Sequence, residues 1–156
     1  MSTIIQGYLL RTSLFGNQVI KPAQALPQNA TATLATVTGG MVMITSMLGI
    51  VTVAVGATAT NLSVGTVPTI GVASATGIGA ATPIASTPLG SWITPVQSAG
   101  ISGQLAVGAN AGTAVFLPTP MVVSAGTITW TTSANNTGQV KWYFTYVPVD
   151  TAAFLS

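Results

Sequence analysis

The clearest alternation of apolar and polar positions lies near the C-terminus. Gly126–Thr132 reads GTITWTT and Gly138–Val147 reads GQVKWYFTYV. Successive residues of a strand point to opposite faces. Ile128, Trp130, Val140, Trp142 and Phe144 therefore share an apolar face. Thr127, Thr129, Thr131, Lys141, Tyr143 and Thr145 share a polar one. The intervening SANNT contains the turn-forming pair Asn135-Asn136. The spacing predicts a β-hairpin with 133–137 as its loop. Thr132 then faces Gly138, Trp130 faces Val140 and Ile128 faces Trp142.

A second apolar run, Gly40–Ala59, reads GMVMITSMLGIVTVAVGATA. It has the length of a membrane-spanning helix and no charge. Its content favours strands, because β-branched residues dominate and Gly49 would weaken a helix interior. No basic cluster or Trp/Tyr belt flanks it. Two strands are expected, Met41–Met47 and Ile50–Val55, bent or bulged near Gly49. Thr31–Thr38 reads as a strand ending at the Gly39-Gly40 turn, and Leu62, Val64 and Val67 mark another.

Residues 68–100 are punctuated by Pro68, Pro83, Pro88 and Pro95 and by several glycines. They predict a long exposed or intersubunit loop, with short strands at Thr69–Ala73 and Ser91–Thr94. Residues 1–30 form a distinct section. Ser2–Leu10 could be a strand and Val19–Pro27 is extended. The section is either an arm reaching a neighbouring subunit or an ordinary first strand and linker. No segment carries sustained helical periodicity. The expected fold is all-β: an antiparallel β-sandwich or barrel, jelly-roll-like, over residues 31–156, preceded by an extended N-terminal arm over residues 1–30.

Charge changes the picture most. The chain of 156 residues has four charged side chains, Arg11, Lys21, Lys141 and Asp150, and none from Pro22 to Val140. A folded monomer of this size exposes about 7,000 Å². Each charge then serves nearly ~1,800 Å², and such a surface resists self-association poorly. An obligate assembly with copies of itself resolves this. The scattered cations do not form a nucleic-acid footprint, which needs clustered Lys or Arg. MSTIIQGYLLRTSLFG lacks a basic start and an uninterrupted apolar run, so it does not read as a secretion signal.

Catalytic chemistry is poorly provided for. There is no His, no Cys and a single carboxylate. These absences remove thiol and imidazole catalysis, the paired carboxylates of glycosidases and any Ser-His-Asp triad. Asp150 with carbonyls and hydroxyls makes a weak metal set. A Ser–Lys mechanism through Lys141 is formally open, but Lys141 falls on the threonine face of a strand, where a solvated lysine is expected. Trp130, Trp142 and Phe144 could stack a sugar or base, yet at strand spacing they read as core. No enzyme, no cofactor, no metal, no small-molecule ligand and no catalytic residue is expected.

Two segments carry a resemblance. TVTGGMVMITSMLGIVT, residues 36–52, and VVSAGTITWTTSANNTGQVKWYFTYVPVDTAAFL, residues 122–155, resemble small virion proteins of tailed bacteriophages, the head decoration or cement proteins. The matching motifs are Val37–Gly40, Leu48–Thr52, Ala125–Ile128, Asn136–Gly138, Val140–Trp142 and Tyr146–Asp150. The chain departs from that pattern at Met41 and Ile50, where relatives often carry a basic and an acidic residue. The resemblance implies a β-sandwich protein, commonly a homotrimer, bound to the major capsid protein on the outer surface of the head. Such a protein is made in the host cytoplasm and stabilises the shell against internal pressure. The alternatives are another virion component, such as a tail or fibre subunit or a major coat protein, and a membrane-embedded protein.

Overall fold

The computed structural model describes residues 12, 16–96, 103–108 and 120–156. Those residues form eleven strands: β1 (Asn17–Ala25), β2 (Thr31–Thr38), β3 (Val42–Val53), β4 (Asn61–Pro68), β5 (Ser74–Pro83), β6 (Trp92–Val96), β7 (Gln104–Gly108), β8 (Met121–Val123), β9 (Gly126–Thr132), β10 (Gln139–Pro148) and β11 (Phe154–Leu155). The fold is all-β, as the alternation predicts.

The strands pack as two layers. One runs β1-β10-β3-β6-β7, with β8 also paired to β3; the other runs β5-β4-β9-β2-β11. A parallel contact between β5 and β7, Ala80 opposite Gln104, joins the layers along one side. Every other pairing is antiparallel. The result is a sandwich that is nearly a closed barrel, open only where β1 and β11 form its edges.

The expected C-terminal hairpin does not form. β9 pairs with β2 and β4 in one layer, while β10 pairs with β1 and β3 in the other. The segment between them is an arch from layer to layer. Trp130 and Trp142 thus meet across the core, with ring centroids 6.0 Å apart and planes at 89°. In this edge-to-face arrangement the positive rim of one ring meets the negative face of the other. The face assignment holds: Ile128, Trp130, Val140, Trp142 and Phe144 are all at most 1% exposed. Alternation specifies which side of a strand is buried, not which strand lies beside it. On the polar side Thr129 is itself buried, because β9 is flanked by strands on both edges.

The run at Gly40–Ala59 supplies one strand, β3, where two were expected, and not a helix. Its irregularities are not at Gly49. The register with β10 slips at Thr45, between Ile44 and Ser46, and again at Thr52, between Val51 and Val53. Each threonine hydroxyl donates to a β10 carbonyl at the slip, Thr45 to Thr145 at 3.1 Å and Thr52 to Gln139 at 3.3 Å. The slip at Thr45 resets the alternation, so Val42 and Ile44 point inward before it and Met47 and Val51 after it. Gly49 is needed for packing: a Cβ there would lie 2.9 Å from Cζ3 of Trp142. Glycine leaves the indole room to lie against the β3 backbone.

Two further expectations are revised. Residues 68–100 are not one long loop. They contain β5 and β6, the latter close to the expected Ser91–Thr94, whereas Thr69–Ala73 is a bend and not a strand. The expected arm divides as well. Asn17–Ala25 is an edge strand on β10, with one extra residue accommodated between Lys21 and Gln24, where Pro22 sits. Residues 1–11, including the expected strand at Ser2–Leu10, lie outside the described residues.

Candidate interaction surface

The three charges among the described residues, Lys21, Lys141 and Asp150, do not converge on a site. Lys141 lies on the outer face of β10, its Nζ 5.3 Å from the centre of the Tyr143 ring two residues on. Lys21 sits on the edge strand β1. Asp150 has a structural partner: its Oδ2 accepts the Met41 N–H at 2.6 Å. Among the described residues no group of three His, Cys, Asp or Glu side chains could hold a metal ion. No helix among them is long and apolar enough to cross a membrane.

The two ends of the sandwich differ. At one end the β1–β2, β3–β4 and β9–β10 connections meet around Asn136, a buried side chain. Its Nδ2 donates to Gly56 O at 3.1 Å, Thr58 O at 2.8 Å and Thr60 Oγ1 at 3.0 Å. Gln28 binds the Asn136 backbone from both sides, accepting its N–H at 3.1 Å and donating to its carbonyl at 2.8 Å. Thr132 donates its hydroxyl to Pro27 O. One side-chain amide thus ties loops far apart in sequence, and the polar groups that burial would penalise are paired.

The other end is built by the β2–β3 turn, the β4–β5 loop, the β8–β9 connection and the β10–β11 turn. Gly39 and Gly40 take φ of 75° and 136°, and the Asp150 carboxylate fills the space a Gly40 side chain would need. Val149 N–H donates to Met41 O at 2.9 Å, and Thr69 N–H to Ala125 O at 2.7 Å. Between these segments opens a cleft of about 340 Å³ lined by Gly40, Met41, Thr69, Ile70, Ser124 and Ala125. Ile70 is 89% exposed and Val72 on the same loop 91%. Of the eleven exposed large hydrophobics among the described residues, eight lie on strand ends and turns at this end; the other three are Ile20, Val53 and Leu89. Apolar side chains gathered at one place, and not scattered singly, mark a contact surface.

In sequence, Ile70 and Val72 fall in the expected short strand Thr69–Ala73 of an exposed or intersubunit loop, and nothing singles them out as a contact. Their alternation, Ile70 and Val72 across Gly71, is the pattern of a half-buried strand. Only the bend at 69–73 turns both outward. The motifs that carry the phage-protein resemblance do come together. Gly49–Val51 pairs with Val140–Trp142, Val37 faces Gly126, and Gly40 packs on Asp150. They form the framework of the two layers and the turn at the Asp150 end. Comparison with family models, with curated proteins and with solved structures found no match.

Proposed function

We propose that the protein is a structural component of a virus particle, a cement or decoration protein that binds the outside of the assembled capsid and stabilises it. The observation that carries this reading is the asymmetry of the body: eight exposed large hydrophobics at the Asp150 end, on a chain with four charges. Such a surface packs against protein without stripping water from ions, which is costly. The resemblance of residues 36–52 and 122–155 to phage head proteins names the setting, with the major capsid protein as partner and a homotrimer as the working unit. A protein that binds the assembled shell and not its free subunits shifts the equilibrium toward the shell by mass action. Contacts through apolar and hydroxyl groups are little screened by salt.

The test is biochemical and visual. Imaging of native particles places the protein outside the capsid in fixed ratio to the major capsid protein, and it stays attached in high salt. Particles lacking it assemble but break at lower temperature. Failure to assemble at all assigns a coat or scaffold role instead, and unchanged heat resistance removes the cement reading.

A further inference from the structure

Four charged side chains serve the whole chain, and one of them stands where alternation calls for an apolar residue. β1 pairs with β10 so that Val19 lies opposite Phe144 and Lys21 opposite Trp142. Directly paired residues share a face, and Phe144 and Trp142 are 0% exposed. Lys21 therefore belongs to the inner face, two residues after Val19, which packs on the core. It is half-buried, whereas Gln18 and Ile20 on the other face are exposed. The next residue is Pro22, within the slip in register between Lys21 and Gln24. β1 is also an open edge: among the described residues its only strand partner is β10. It runs for nine residues, against two in β11 at the other edge.

We propose that Lys21, with Pro22 and the bulge beside it, bars β1 from pairing with a strand of a second copy of the chain. An open edge presents unpaired N–H and C=O groups and is a template for another strand. Little else on this chain opposes such pairing, because no charge falls from Pro22 to Val140. A strand added beside β1 would lie about 4.8 Å away. Its inner side chains would close over Lys21 and shut the ammonium off from water, and an unpaired buried charge is costly. Asp150, the chain's only acid, is engaged at the Met41 N–H, so a second copy brings no free carboxylate to pair with it. Pro22 has no N–H to give to a ladder, and the bulge breaks the straight run of partners that an incoming strand needs. Inward charge, proline and bulge are three separate means of blunting an edge, gathered here between Lys21 and Gln24. The guard lies on the side of the sandwich and acts independently of whatever binds at the Asp150 end.

The full-length chain, purified without any capsid, supplies the test. Lys21→Thr is compared with Lys141→Thr, which removes the same charge from the outer face of β10, and with Lys21→Glu, which keeps a charge at the inner position. Sedimentation over a range of concentrations is expected to show Lys21→Thr associating about tenfold or more tightly than the wild type. Lys21→Thr combined with Pro22→Thr associates more tightly still. Amide exchange of Asn17–Ala25 slows in the associated form. Lys141→Thr and Lys21→Glu sediment as the wild type does. If Lys21→Thr associates no more than Lys141→Thr, or associates with no slowing of exchange in β1, the guard is refuted. Equal association of Lys21→Glu and Lys21→Thr refutes it too, since an inward charge would then oppose nothing. Should the double variant lose its β spectrum, the single variants decide. Because purified protein alone is used, failure here is separable from failure to bind a capsid.

Discussion

The two ends of this sandwich are made of the same material, short connections rich in Thr, Gly, Asn and Pro, yet they end in opposite conditions. At the Asn136 end the buried Asn136 amide binds the β3–β4 connection, and Gln28 of the β1–β2 connection binds the Asn136 backbone, so three loops are tied together. At the Asp150 end the carboxylate pins one turn, and the adjoining loop leaves Ile70 and Val72 in solvent. Burial of a polar group is tolerated when its hydrogen bonds are made within the chain. Exposure of a cluster of large aliphatic side chains is relieved only by something outside the folded body. One end therefore completes the fold, and the other presents the surface proposed above for a partner.

Substitutions can break or sharpen that contrast. The packed middle sets the scale. Trp142→Ala empties a fully buried site against Trp130 and Gly49 and costs about 3–5 kcal/mol, read from the denaturant midpoint. A smaller loss would mean that the layers do not meet there. Asn136→Ala removes the three contacts of its Nδ2 to Gly56 O, Thr58 O and Thr60 Oγ1, although Gly56 O keeps the Ser86 N–H and Thr58 O the Thr60 hydroxyl. It is expected to cost about 2–3 kcal/mol; a neutral result would make the sealed end illusory. Asp150→Ala removes a single charge-assisted bond at an exposed turn and costs about 1 kcal/mol, measured the same way. A penalty equal to that of Asn136→Ala would erase the distinction between the ends. Lys141→Ala, on the outer face of β10, changes stability by less than about 0.5 kcal/mol. Ile70→Ser does the same for folding while weakening association. An Ile70→Ser variant that unfolds would show that the loop belongs to the core.

The strand character of this protein, and which faces of its strands are buried, are written in the sequence. β-branched residues and two-residue periodicity mark β2, β3, β4, β9 and β10. The inward positions Ile128, Trp130, Val140, Trp142 and Phe144 can be named without coordinates, because side-chain direction in a strand depends only on residue count. Partnership between strands is not local. β9 and β10 are consecutive and separated by a turn-like segment, the usual mark of a hairpin, yet they lie in different layers. The arch satisfies Asn136 and sets Trp130 edge-to-face against Trp142, and a hairpin would have left both indoles on one side of one sheet. Bulges behave in the same way. Gly49 was the obvious candidate, but the slips fall at Thr45 and Thr52, where a hydroxyl can reach a β10 carbonyl across the strand. The apolar end was the least legible feature. Ile70 and Val72 carry the signature of a core strand, and only the path of the β4–β5 loop, set by the turn at Pro68–Ser74 and its bond to Ala125, turns them toward solvent. Local pattern fixes what each residue prefers, while the closure of two layers around a shared core decides which preferences go unmet, and at Ile70 and Val72 those unmet preferences leave an apolar surface in solvent.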